Sequence, residues 1–87
     1  MDLIDGKIVW TLHATHGMPL EMTLNILAEK NQIPTWDRLL ESAKKDGAKL
    51  DRLSERIIIA VSDSYPGDVA AIVRQKLPRL VECVMQS

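Results

Sequence analysis

Apolar residues recur with a helical period along most of this chain. Leu20, Leu24 and Leu27 stand four and seven residues apart, and Met22 and Ile26 widen their stripe. So wide an apolar face predicts burial on more than one side. Trp36, Leu39, Leu40 and Ala43 form a complete helical face from Thr35 onward. Leu50, Leu53, Ile57, Ala60 and Ser64 alternate steps of three and four, with Ile58 and Val61 alongside, and mark a central helix. Val69, Val73, Leu77, Leu80 and Val84 continue the pattern to the C-terminal end. The first segment, Asp5 to His16, reads two ways. Ile8, Leu12 and Thr15 share a helical face with Val9 beside it, while Ile8, Trp10, Leu12 and Ala14 alternate as a strand would. No partner strand is evident elsewhere, so a helix is expected there.

The breaks fall at Gly17-Met18-Pro19, Asn31 to Pro34, Gly47 and Tyr65-Pro66-Gly67. Thr15 to Pro19 should reverse the chain between two antiparallel helices. Pro19 suits a first helical position, where a missing N–H costs nothing. Asn31 suits a left-handed stop, Thr35 an N-cap, and Asp68 the cap of the last helix. Pro78 removes a donor from that helix and predicts a kink, or a break with a new short helix. The fold class expected is all-α, a compact bundle of five or six short helices in one domain over residues 1–87.

Composition narrows the function classes. With 46% hydrophobic and 26% charged residues the chain is globular rather than disordered. Eleven Lys and Arg against twelve Asp and Glu leave a net charge of −1, against a dominant electrostatic grip on nucleic acid or anionic lipid. The longest apolar run, Ile57 to Val61, is too short for a bilayer, so no membrane partner is expected. The acidic start Met1 to Asp5 has no signal-peptide pattern, which predicts a cytoplasmic chain. The single cysteine, Cys83, permits no internal disulfide and reads as a small buried hydrophobe beside Leu80, Val81 and Val84.

Chemistry-bearing groups are few. His13 and His16 share a helical face at a spacing that two metal ligands can use, but no third ligand accompanies them, so no metal site is expected. The four glycines are scattered and make no phosphate loop. Cys83 has no histidine nearby to act as a base. We therefore expect no catalysis and no cofactor. Trp36 begins an apolar stripe and belongs to the core, whereas Trp10 lies off the Ile8–Leu12 face and is expected to be partly exposed. Lys44, Lys45, Lys49, Arg52 and Arg56 surround Gly47, interleaved with Glu41, Asp46, Asp51 and Glu55 as on a mixed helical surface.

The run Leu12-His13-Ala14-Thr15-His16-Gly17-Met18-Pro19-Leu20-Glu21-Met22-Thr23 resembles a signature of alanyl-tRNA synthetases, in the helical tRNA-recognition domain that follows their catalytic domain. Upstream, Gly6 to Thr11 is similar to the family's pattern. Downstream, so are Ile26 to Asn31, and Trp36 to Glu41 with the lysines that follow. The resemblance covers about residues 6–49, and Thr15, Gly17, Pro19 and Thr23 are its most specific positions. It departs where the family has tyrosine and aspartate, here His13 and Ala14. That aspartate is implicated in reading the acceptor-stem G·U pair, and a methyl group accepts no hydrogen bond from a base edge. The family's ATP, alanine and editing motifs are absent. The resemblance thus implies a shared helical scaffold without aminoacylation.

Three functions are compatible with these features. The first is a non-catalytic helical interaction module that binds a protein partner or itself as a homo-oligomer. The second is weak, sequence-indifferent binding of RNA, possible tRNA included, through His13, Thr15, His16, Lys44, Lys45 and Lys49. The third, a DNA-binding helix-turn-helix around Gly47, lacks net basic charge and a clear recognition helix.

Overall fold

Residues 1–86, described by a computed structural model, form seven elements in chain order. These are β1 (Asp2–Ile4), α1 (Gly6–His16), α2 (Leu20–Glu29), β2 (Gln32–Pro34), α3 (Trp36–Lys45), α4 (Leu50–Ser64) and α5 (Gly67–Met85). The domain is a small all-α bundle of five helices.

Local chemistry explains most of the boundaries. Asp5 is extended, and its carboxylate accepts the Lys7 amide at 3.0 Å to start α1. The Arg38 guanidinium and then that amide hold the Asp5 carboxyl below its usual range. Gly17 stops α1 with φ 67°, and the Met18 amide returns to the Leu12 carbonyl at 3.2 Å. Asn31 at φ 59° and Gly47 at φ 80° take the same left-handed conformation after α2 and α3. Helix α2 begins one residue later than expected, at Leu20, with Pro19 just outside it. Asp68 lies in the first turn of α5 and makes no cap; Pro66 occupies that position.

The helices close a ring. Helix α1 packs on α3, α3 on α5, α5 on α4, α4 on α2, and α2 returns to α1. Leu20, Leu24, Leu39, Leu40, Ile57 and Leu77 fill its centre and are fully buried. Helix α4 is a member of this ring rather than its centre: Asp51, Arg52, Glu55 and Ile59 face solvent. Helix α5 runs unbroken through Pro78, so no sixth helix forms. Pro78 lies on the exposed side, where its ring meets solvent while Leu77 and Val81 carry the packing.

Five further expectations are corrected. A strand pair does exist: β1 and β2 run parallel, with Leu3 opposite Ile33, and α1 and α2 make the crossover. The buried face of α1 is Gly6, Val9 and Trp10, whereas Ile8 is exposed. Trp10 is only 9% exposed, because α1 docks on α3 through Gly6 and turns that side inward. Met22 and Ile26 stay exposed, since α2 has core on one side alone. Cys83 is exposed as well, one position before the buried Val84 and about 100° around the helix.

Candidate functional site

The six residues read as an RNA surface separate into three places. His13 and Lys49 meet in a cleft of about 380 Å³ between α1 and the N-terminal half of α4, lined also by Trp10, Arg52, Leu53 and Arg56. Thr15 and His16 sit exposed at the end of α1, with His16 in a shallow depression beside Ile8 and Leu12. Lys44 and Lys45 share a third place, a hollow lined also by Glu41 and Val84, where the Lys44 Nζ donates to the Val84 carbonyl of α5 at 2.8 Å. Lys45 lines a surface hollow with Lys7 and Arg38 but also with Glu41 and Asp46. The separation follows from helix geometry: Lys44 and Lys45 precede the Gly47 turn, which sends Lys49 onto a different helix.

Within the cleft the side chains are well held. The Trp10 indole N–H donates to Asp46 at 2.6 Å, and its ring meets the His13 imidazole at 5.3 Å between centroids. His13 Nδ1 lies 3.0 Å from the Met18 carbonyl. A carbonyl only accepts, so Nδ1 carries the proton and donates, leaving Nε2 as the second polar atom of the ring. Arg56 is engaged by Glu21 of α2 at 3.1 Å. The Glu21 carboxyl is held below its usual range by its own backbone amide at the helix start, and then by Arg56. Lys49 and Arg52 make no ion pair or side-chain hydrogen bond with another described residue.

A second feature escaped sequence reasoning. Leu3, Ile33, Trp36, Ile72 and Leu80 line an apolar groove where the strand pair meets α3 and α5. Its rim carries one acid, Asp37, and one base, Lys76. Leu3 is 72% exposed and Ile72 52% exposed. The Asp2 amide bonds to the Asn31 carbonyl, and the Thr35 amide to the Ile4 carbonyl. In a parallel ladder this alternation turns the Leu3 amide and carbonyl to the outer edge of β1. The signals for this groove were weak. Both strands have three residues, too short for a legible alternation, and Ile72 falls off the main stripe of α5.

Among the described residues no group of three or more His, Cys, Asp or Glu side chains is placed to hold a metal ion. No helix among the described residues is long and apolar enough to cross a membrane. Among those residues every buried side-chain nitrogen and oxygen has a hydrogen-bond partner. The class defined is a five-helix domain with a short parallel strand pair, an apolar groove on one side and a basic cleft on another. Comparison with known proteins adds no kinship: no protein-family model, curated protein or solved structure matches the chain.

Proposed function

We propose that the chain is a non-catalytic, cytoplasmic helical interaction module that pairs with a second copy of itself through the apolar groove beside β1. The observation that carries this reading is the groove itself, open and apolar, with Leu3 and Ile72 exposed on its walls. Contiguous exposed apolar surface of this kind favours a protein partner. A second copy suits it for two reasons. The unpaired edge of β1 is its own complement when a two-fold axis sets Leu3 antiparallel to its counterpart. The rim offers Asp37 and Lys76, so each copy would present an acid to the other's base.

The resemblance of residues 6–49 to the synthetase helical segment enters this proposal as a common scaffold only. RNA binding has less support, because Thr15, His16, Lys44 and Lys45 do not join His13 and Lys49.

Light scattering coupled to size exclusion tests the pairing. A concentration-dependent dimer is expected, and Leu3→Lys or Ile72→Glu should return it to monomer without changing the helical circular dichroism. Asp37→Lys should weaken the dimer, and the double variant Asp37→Lys with Lys76→Asp should recover it. A chain that stays monomeric throughout would overturn the proposal, as would a dimer indifferent to Leu3 and Ile72.

A further inference from the structure

Lys49, Arg52 and Arg56 fall on one face of α4, spaced by three and four residues, and all three line the cleft that faces Trp10 and His13. No acid lines this cleft, although the chain as a whole carries a net charge of −1. The positive charge is therefore a local concentration. Two of its members, Lys49 and Arg52, have no protein counter-charge among the described residues. Trp10 and Leu53 form apolar walls, which lower the local dielectric and strengthen any ion contact made between them.

We propose that this cleft is a binding site for a small phosphate monoester. Arg52 offers a planar fork of donors that matches two phosphate oxygens, and Lys49 a mobile ammonium for a third. The two uncommitted cations match the roughly double negative charge of a monoester better than the single charge of a diester. Lys49 is also the N-cap residue of α4 and makes no side-chain cap, so the first amides of that helix reinforce the same sign. Asp51 opposes them, one position before Arg52 and about 100° around the helix. The space of about 380 Å³ admits the phosphate with one organic ring against the Trp10–His13 pair. Glu21 restrains the site, because it occupies the Arg56 guanidinium at 3.1 Å.

The test is an amide-shift titration of the folded chain with adenosine monophosphate, inorganic phosphate and adenosine. Adenosine monophosphate should produce saturable shifts at residues 48–53 and at the Trp10 indole N–H. Inorganic phosphate should shift the same residues more weakly, and adenosine should shift none. Lys49→Gln with Arg52→Gln should lower the affinity at least about tenfold with unchanged circular dichroism. Glu21→Gln should raise it about threefold by releasing Arg56. The absence of saturable shifts with adenosine monophosphate would overturn the proposal, as would equal binding of adenosine. Tighter binding of a single-stranded RNA without a terminal phosphate through the same residues would also overturn it, in favour of a backbone site.

Discussion

The Gly6 amide donates to the Thr35 hydroxyl oxygen at 3.0 Å, joining the starts of α1 and α3 across 29 residues of sequence. Thr35 stands at the N-cap position of α3, yet its side chain caps no amide of that helix and serves α1 instead. The approach is close enough to exclude a side chain. A Cβ on Gly6 would lie 2.6 Å from the Leu39 backbone nitrogen and closer still to the Thr35 carbonyl oxygen. Backbone cannot move aside as a side-chain tip can, so the α1–α3 contact depends on glycine at this position.

Gly6→Ala should therefore destabilise the fold by about 2 kcal/mol or more through overpacking. Thr35→Val keeps the shape but leaves the Gly6 amide without its acceptor, and should cost about 1–3 kcal/mol. Urea denaturation followed by circular dichroism reads both. Unchanged midpoints would refute the contact.

Gly17 tests a different cost. Its φ of 67° is left-handed, and a Cβ there would meet nothing within 4 Å. Gly17→Ala should thus lose only backbone energy, about 1 kcal/mol, and Gly17→Val more. A melting temperature that drops for valine alone would point to packing instead of backbone strain.

Tyr65 predicts an alkaline transition. It is buried, and its hydroxyl donates to the Gln32 carbonyl at 2.7 Å, tying the end of α4 to β2. Burial pushes the phenol up from 10.0 to about 12. The unfolded chain then loses this proton before the folded one does. Stability from this group is complete below pH 10 and falls as the pH rises towards 12. Tyr65 is the single tyrosine, so phenolate absorbance reports it alone. The folded chain should titrate near 12 and the denatured chain near 10, and Tyr65→Phe should flatten the stability profile over that interval.

Pro78 should prove a cost that the fold carries. It lies on the exposed side of α5, so removing its ring loses little packing. Its missing amide leaves the Arg74 carbonyl without a helical donor. Pro78→Ala restores that bond and should stabilise the chain by about 1–3 kcal/mol. A lower melting temperature for the variant would show that the ring contributes packing not evident from its exposure.

Much of this molecule was legible one segment at a time. The period of Leu39, Leu40 and Ala43 marked the buried face of α3, and Gly17, Asn31 and Gly47 marked helix ends by their tolerance of positive φ. These are local properties, settled by the spacing of side chains on one helix and by backbone sterics at one residue. What the tertiary structure decided is non-local. Which side of α1 is buried depends on Gly6 meeting Thr35 and Leu39, so Val9 and Trp10 turn inward although Ile8 and Leu12 have the stronger pattern. The pairing of β1 with β2 needs α1 and α2 folded between them, and three residues in each strand leave no periodic trace. The lysines around Gly47 are neighbours in sequence, but the turn parts Lys49 from Lys44 and Lys45, which line a hollow together. Lys49 alone enters the basic cleft, beside a histidine from α1. Charge is written in the sequence, but its concentration at one place depends on which helices pack together.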